Sequence, residues 1–361
     1  MIKHTYIHIP FCQSICSYCD FCKMFYKSDL VDKYLLALKR EIEESYQGEI
    51  EETIYIGGGT PSCLTIGQLE TLLDILKVIK RNAKTEFTIE CNIEDITVDK
   101  LNLFLKYGIN RLSIGVQTLN EKYLSFLNRK QTKEEVISKI ELAKEVGFTN
   151  INIDLMYALE NETVKEVEND IAEFLKLNIP HISVYSLILE DHTKLKIEGF
   201  KEIDPDVDAK MYETIETVLE ESGYKHYEVS NYAIPGYESL HNLAYWNNNL
   251  YYGFGLGASG YIDNIRYTNT RNINTYLVET KRVEEVVIDL ESAMSEEMIL
   301  GLRKLEGVNK QLFKAKFGKD IKEQYDIIDL LDKHLLEENE EYIYIPRSKI
   351  YVSNSILINF L

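Results

Sequence analysis

Short apolar, β-branched runs alternate with longer amphipathic segments over the first half of the chain. The apolar runs predict six strands, at residues 5–9, 53–56, 86–90, 111–117, 151–157 and 181–187. The segments between them repeat apolar residues at helical spacing and predict helices at 30–46, 66–81, 98–107, 133–146 and 163–177. Strands and helices that alternate in this way form parallel βα units. The pattern therefore predicts an α/β fold, as a partial barrel or an open doubly wound sheet.

Several of the predicted helices carry signals for their ends. Thr132 and Glu135 have the spacing of a capping box at the start of a helix. Gly108 and Gly147 follow helical patterns at the position where a left-handed cap favours glycine. These signals support the helical interpretation of the segments between the strands.

The pattern changes after residue 200, which predicts a second part of the molecule. A helix is predicted at 208–221 and a strand at 224–232, and residues 241–262 are rich in aromatic residues and glycine. Residues 293–337 read as helices, and residues 341–361 as a short hairpin and a last helix. We therefore predict a core at 1–225, a connecting region at 226–280 and a small, mostly helical, winged-helix-like domain at 281–361.

Polar and special residues gather where the predicted strands end. Cysteines follow the first strand and "GGGTPS" (57–62) follows the second, while Glu90 and Asn92 close the third, Gln117 closes the fourth and Asp154 lies late in the fifth. In parallel α/β folds, ligands bind at the carboxyl ends of the strands. Each of these residues taken alone is explained by the start of a loop, but their recurrence favours one shared pocket.

Composition and charge narrow the class of protein. The chain has 361 residues, of which 45% are hydrophobic, and a formal net charge of −19. No apolar run approaches the roughly 18 residues that a membrane span needs, and the start lacks the pattern of a signal peptide. We therefore expect a cytoplasmic protein with no transmembrane segment. The acidic balance argues against nucleic acid as a partner, because phosphate contacts need lysine and arginine.

Four of the six cysteines lie within residues 11–22, as Cys12, Cys16, Cys19 and Cys22. Clustered thiols in a reducing compartment indicate metal or redox chemistry rather than disulfides. Three kinds of site compete: a structural zinc site, a ferredoxin-type cluster, and a [4Fe–4S] cluster held by three thiolates with one iron left open. The zinc and ferredoxin patterns both differ from C-x3-C-x2-C-x2-C in their spacing.

The first three cysteines, with Tyr18 just before the third, resemble the signature of the radical S-adenosylmethionine (SAM) superfamily. The resemblance implies a partial (β/α)6 radical-SAM barrel, a [4Fe–4S] cluster on Cys12, Cys16 and Cys19, and SAM bound at the open iron. Cys22 is then not needed as a ligand. By the same resemblance, the residues expected to contact SAM are Tyr6, Tyr18, Gly58, Gly59, Thr60, Glu90, Gln117, Arg129 and Asp154.

Longer motifs resemble one branch of that superfamily, the oxygen-independent coproporphyrinogen oxidase-like proteins of porphyrin metabolism. They are "YIHIPFC", "YIGGGTPS", "GINRLSIGVQTLN" and "YEVSNYAIPGYESLHNLAYW". The branch contains a coproporphyrinogen III dehydrogenase and the HemW-type haem chaperones. The first cysteine is residue 12, without the extension of the dehydrogenase, and Phe21 stands where the dehydrogenase has a fourth cysteine.

The H-N-x-x-Y-W motif at His241, Asn242, Tyr245 and Trp246 resembles the mark of the HemW-type proteins. Imidazole is a good axial ligand for haem iron, and aromatic rings offer flat apolar area to a porphyrin. The residues alone equally allow a structural corner in which backbone groups satisfy His241. The resemblance favours haem binding by these four residues.

Three short stretches depart from the family pattern. The family's G-R-x-H is "NRKQ" at 128–131, its A-N-P is "CNI" at 91–93, and its G-L-P-G is "ALEN" at 158–161. The departures leave the three cysteines, Arg129 and Asp154 in place. They put the fine geometry of SAM binding in question rather than the cluster.

The expected function is a haem chaperone with a SAM-ligated [4Fe–4S] cluster. Its expected partners are haem, an unidentified haem-acceptor protein and an electron donor for the cluster. The alternative is oxidative decarboxylation of coproporphyrinogen III by a radical SAM mechanism. RNA modification, which other radical SAM branches perform, is disfavoured by the acidic charge.

Overall fold

Six parallel strands form the centre of the molecule in the computed structural model, which describes residues 1–279 and 281–361. Neighbours in sequence are neighbours in the sheet from β1 to β6, and every pair is parallel. This confirms the predicted α/β barrel-type fold. The strands are β1 (His4–Ile9), β2 (Thr53–Gly58), β3 (Glu86–Asn92), β4 (Arg111–Gln117), β5 (Asn150–Tyr157) and β6 (His181–Ser186).

Helices connect these strands and cover the outside of the sheet. The predicted capping box of Thr132 and Glu135 is confirmed, and Thr65 with Gln68 and Thr163 with Glu166 form two others on connecting helices. The helix predicted at 66–81 ends at Ile75, where Leu76–Val78 tightens into a 3₁₀ turn. The connecting helices are Ser28–Ser45, Ile66–Ile75, Val98–Lys106, Lys133–Val146, Val164–Lys176 and Pro205–Glu221, with short turns at Glu121–Leu124 and Lys194–Ile197.

The sheet is extended at both edges by strands from later in the chain. Tyr252–Phe254 pairs in parallel with β1, and Asn231–Ala233 pairs antiparallel with β6. The single strand predicted at 224–232 is wrong, because this segment folds into a hairpin of Lys225–Glu228 and Asn231–Ala233. The turn breaks the strand where the Val229 N–H bonds to the Arg303 carbonyl oxygen instead of continuing the ladder.

The region after residue 240 begins with the helix Leu240–Trp246 and continues into a small antiparallel sheet. That sheet contains Ser259–Ile262, Ile265–Asn269 and Arg282–Val287, with the short helix Ile273–Val278 between its strands. Residue 280, at the predicted domain boundary, lies outside the described residues. The strand just after it pairs with Ile265–Asn269, so the segment on the far side of that boundary still belongs to this sheet.

The C-terminal part has its own apolar core, which begins at Met294 and includes Met298, Phe313, Leu336 and Ile343. The predicted tail hairpin takes its first strand, Glu337–Glu338, from before residue 341. The elements here are Leu290–Gly301, Lys310–Phe317, Ile321–Gln324, Ile328–Asp332, Ser353–Leu357, the 3₁₀ segments Arg347–Val352 and Ile358–Phe360, and strands Val308–Asn309, Glu337–Glu338 and Tyr342–Tyr344.

Residues along the central strands divide between two faces of the sheet. Ile54 and Ile56 on β2 are fully buried in the main apolar core, as are Ile7 and Ile9 on β1. Successive side chains on a strand point to opposite faces, so the alternate positions face the inside of the curved sheet. Those positions are largely polar, which places a hydrophilic interior next to an apolar shell. Among the described residues, no helix is long and apolar enough to cross a membrane.

Candidate functional site

A cavity of about 340 Å³ opens at the carboxyl ends of the central strands. Every residue predicted to bind the cluster or SAM lines it, with the exception of Tyr6. The predicted residues that line the cavity are Cys12, Cys16, Tyr18, Cys19, Gly58, Gly59, Thr60, Glu90, Gln117, Arg129 and Asp154. The structure thus brings together side chains from five strand ends, as expected for a parallel α/β fold.

The cysteine-bearing loop lies between β1 and the helix Ser28–Ser45. Its two ends pair with each other, and its middle is hydrogen-bonded to Asn128. Phe11–Cys12 pairs with Met24–Phe25 as two short parallel strands. The Asn128 amide donates to the Ser14 hydroxyl at 3.1 Å and to the Ile15 carbonyl oxygen at 2.8 Å. The loop therefore has a defined shape that is set partly by a residue far away in sequence.

Cys12, Cys16 and Cys19 all line the cavity. Burial raises the pKa of the Cys12 thiol to about 11 and also raises the pKa of Cys19. Such thiols ionise only with a strong positive partner, which is what a metal centre supplies. In residues 1–279 and 281–361, no three side chains converge to hold a single metal ion.

The fourth cysteine of the loop, Cys22, does not line the cavity. Its thiol packs against Gly257, where an added Cβ would lie 2.9 Å from the sulfur. Its carbonyl oxygen is 2.7 Å from Nε2 of His8. Cys22 is therefore separated from the group of three thiols by its packing.

The glycine loop after β2 comes very close to the cysteine loop. Gly58 has φ +123°, in the region that favours glycine, and a Cβ on Gly59 would lie 2.8 Å from the Cys12 sulfur and from the Phe11 carbonyl oxygen. Thr60 places its hydroxyl 3.7 Å from the same sulfur. Glycine is required here because the backbones of the two loops leave no space for a side chain.

Two carboxylates, Glu90 and Asp154, lie in the wall of the cavity. Glu90 accepts a hydrogen bond from the Tyr55 hydroxyl at 2.9 Å and from the Gly58 N–H at 3.0 Å. Burial raises the pKa of Glu90 to about 7, and repulsion from Asp154 adds to the effect. Burial likewise raises the pKa of Asp154, which accepts from the Asn152 amide at 2.9 Å. A cationic ligand would relieve both carboxylates.

Arg129 supplies the opposite charge within the same cavity. Its guanidinium donates to Asn92 Oδ1 at 2.8 Å and to the Tyr18 hydroxyl at 3.0 Å. Within the part of the chain that the structure describes, its Nε has no hydrogen-bond partner. Gln117 beside it has φ +73°, a strained conformation of the kind that accompanies functional sites. The arrangement can bind an anionic group next to a cationic one.

The departures from the family pattern keep the backbone geometry that glycine would allow. Asn128, Ala158 and Asn161 all have φ between +57° and +61°. Among residues other than glycine, asparagine is one of those that tolerate this left-handed region best. Gln131 donates from its amide to the Val116 carbonyl oxygen at 2.8 Å. Three of the substituted positions thus adopt the left-handed backbone conformation that glycine favours.

Several side chains in the cavity wall were not predicted from the sequence. The signal that could have found them is the polar side chain at every second position of β4, β5 and β6, which places those residues on one face. Ser113 and Gly115 pair in register with Asn152 and Asp154 on the neighbouring strand. The residues that this signal would have found include Arg111, Ser113, Asn152, Ser183 and Tyr185, whereas Tyr55 lies on β2 and was missed as well.

Of the H-N-x-x-Y-W residues, only Asn242 lines this cavity. His241 is buried, with Nδ1 2.7 Å from the Thr53 hydroxyl and Nε2 2.9 Å from the Tyr245 hydroxyl. Trp246 donates from its indole N–H to Glu228 at 2.7 Å. In this conformation the polar atoms of His241 and Trp246 already have partners.

Tyr6 lies behind the cavity wall rather than in it. Its hydroxyl is 2.9 Å from Nδ1 of His8, and its ring stacks on Tyr55 with centroids 6.2 Å apart. Tyr55 in turn lines the cavity. Tyr6 therefore reaches the site only through its neighbour.

The sequence matches two family models and several proteins of named function. The Radical SAM superfamily model matches residues 6–174, and the HemN C-terminal domain model matches residues 288–349. The chain is 42% identical to the heme chaperone HemW of Lactococcus lactis over 99% of this chain and 97% of that protein. It is 39% identical to the heme chaperone HemW of Bacillus subtilis over 100% of this chain and 99% of that protein.

A solved structure shares the fold over nearly the whole chain. Coproporphyrinogen III oxidase (HemN) from Escherichia coli, a radical SAM enzyme, superimposes with a TM-score of 0.89 at 22% identity. The match covers 99% of this chain and 90% of that one. At this identity, the likeness shows that the two proteins have the same architecture.

Proposed function

This chain belongs to the HemW family of haem chaperones within the radical SAM superfamily, and from that premise we propose that it binds haem and transfers it to an acceptor protein. The proposal is supported most by one cavity that is lined both by three cysteines and by two half-buried carboxylates, Glu90 and Asp154. This donor set suits the cofactors that the superfamily uses, a [4Fe–4S] cluster and SAM.

Cys12, Cys16 and Cys19 are the proposed ligands of the cluster. Their thiols share one cavity, and Cys22 is packed against Gly257 instead. A cluster held by these three thiolates would leave one iron for the amino and carboxylate groups of SAM and would supply the electron for its chemistry. The protein's part is to hold the loop, and Asn128 does so through its two hydrogen bonds.

The remaining cavity residues are proposed to hold SAM. Glu90 and Asp154 offer negative charge to its cationic groups, and Arg129 offers an N–H to its carboxylate. Gly58, Gly59 and Thr60 bring backbone close to the cysteine loop without side-chain bulk. Tyr18, Gln117 and, behind the wall, Tyr6 complete the set proposed from the sequence.

Haem is the proposed cargo, with contacts from His241, Asn242, Tyr245 and Trp246. Asn242 is available at the cavity surface. Ligation of haem iron by His241 requires the release of one ring nitrogen, Nδ1 from Thr53 or Nε2 from Tyr245, which costs about 1 kcal/mol. The name of the family implies a haem acceptor as a further partner, and we propose an electron donor for the cluster as another.

Two reactions run on the same reconstituted protein distinguish the chaperone from an enzyme of porphyrin metabolism. We expect haem-loaded protein to pass its haem to apomyoglobin, used as a scavenger with a distinct spectrum. We expect reduced protein with SAM and coproporphyrinogen III to form no protoporphyrinogen beyond a single turnover. Repeated turnover would show that the protein is a decarboxylase rather than a chaperone. Failure of the protein to load haem would contradict the chaperone function.

A further inference from the structure

The helix that carries the H-N-x-x-Y-W motif rests directly on the wall of the cavity. The first N–H groups of the helix, at Leu240 and His241, both donate to the Glu86 carboxylate at 3.0 Å. Glu86 lies on β3, four residues before Glu90, and therefore on the same face of that strand. The start of the helix is thus fixed to the strand that carries a cavity carboxylate.

The His241 imidazole continues this contact into the wall itself. It lies on the Tyr55 ring with centroids 5.0 Å apart and planes 23° apart. Its two nitrogens are held by Thr53, two residues before Tyr55 on β2, and by Tyr245 on its own helix. Burial lowers the pKa of His241 to about 3, so the stacked ring is neutral. The uncharged imidazole is therefore held in one stacked position against the Tyr55 ring.

Tyr55 in turn contacts the Glu90 carboxylate in the cavity wall. Its hydroxyl donates to Glu90 Oε1, while the Gly58 N–H donates to Glu90 Oε2. Tyr55 and Glu90 both line the cavity, so a shift of the tyrosine ring changes the direction in which the carboxylate points. A chain of contacts runs from His241 through Tyr55 to Glu90 and the glycine loop.

We propose that His241 is a positioning residue of the SAM pocket, which acts by stacking on Tyr55 and so orienting Glu90. The inference rests on the proposed function in one respect, that the cavity takes SAM. It assigns the motif a second task besides haem contact. It also links the two ligands physically, because an imidazole that turns to meet haem iron must leave Tyr55.

Equilibrium binding of SAM to the reconstituted holoprotein tests the proposal. His241→Leu removes the ring, His241→Phe keeps a ring that can stack, and Tyr55→Phe keeps the stack but removes the hydrogen bond to Glu90. We expect His241→Leu and Tyr55→Phe each to weaken SAM binding by roughly threefold to tenfold, the effect of losing about one hydrogen bond. The double variant should be no weaker than either single one, and His241→Phe should restore part of the affinity.

His226→Leu is the matched control. His226 is also a buried histidine stacked on a tyrosine, Tyr232, with centroids 4.3 Å apart, but it does not line the cavity. The His226→Leu substitution should lower the thermal stability of the protein without changing its affinity for SAM. Unchanged SAM affinity in His241→Leu, or additive effects of the two changes, would overturn the inference. Failure of the wild-type protein to bind SAM would instead overturn the proposed function.

Discussion

The tether between Asn128 and the cysteine loop gives the sharpest single prediction. Asn128→Gly removes both side-chain hydrogen bonds, to Ser14 and to Ile15, while glycine keeps the backbone at φ +57° without strain. Each lost bond is worth about 0.5–1.5 kcal/mol, and the lower half of that range applies because the side chain is exposed. The docked loop is therefore destabilised by about 1–2 kcal/mol, which is a factor of about 5–30 in its opening equilibrium.

The rate at which an iron chelator strips the reconstituted cluster measures that opening. We expect Asn128→Gly to lose iron about 5–30 times faster than the wild type under anaerobic conditions, if loop opening limits release. Asn178→Gly is the control, since Asn178 is also exposed, has φ +47°, and makes no side-chain hydrogen bond among the described residues. Equal rates for the two glycine variants would refute the tether.

Three further predictions concern the same cavity. Cys16→Ser should lose the visible absorption of the reconstituted cluster while Cys22→Ser keeps it, and loss in both would mean a fully ligated cluster. Gly59→Ala should prevent cluster assembly, because its Cβ would lie 2.8 Å from the Cys12 sulfur. Gly67→Ala is the control and should assemble the cluster normally, since no atom lies within 4 Å of its added Cβ. A normal iron content in Gly59→Ala would contradict the close approach of the two loops. SAM affinity should fall as the pH drops below about 7, because burial raises the pKa of Glu90 to that value and the protonated carboxyl no longer attracts a cation. Glu90→Gln should bind SAM weakly and with a flatter pH profile. Isothermal titration at several pH values measures both, and a pH profile as steep in Glu90→Gln as in the wild type would contradict this role of Glu90.

The central strands could be predicted from the sequence because one face of each is buried under helices. Ile54 and Ile56 on β2 are examples of the apolar positions that made the pattern visible. The gathering of Glu90, Gln117 and Asp154 followed from the rule that parallel strands share one carboxyl edge. The alternation of strand and helix patterns, together with the rule that parallel strands share one carboxyl edge, was enough to predict which strand ends form the site.

The contacts that adjust the site depend on tertiary packing and were not visible in the sequence. Asn128 and Ile15 are separated by 113 residues, so no local pattern records their hydrogen bond. Tyr55 looked like an ordinary strand residue, yet it holds Glu90. The hairpin at 225–233 was taken for one strand because β propensity does not show where the ladder is interrupted.

His241 shows the limit of motif reasoning most clearly. The motif predicted an imidazole available to haem iron, and a structural corner remained the open alternative. The structure places both ring nitrogens in hydrogen bonds inside the molecule. A motif reports which residues recur together, whereas the availability of a ligand atom depends on the partners that the fold gives it.

Anaerobic titration of the reconstituted wild-type protein with haem is the decisive test of whether this chain binds haem. We expect a change in the haem absorption band that saturates at a stoichiometric amount of haem and persists through gel filtration. A change that grows linearly without saturation, with haem lost on the column, would contradict the assignment of this chain as a haem chaperone.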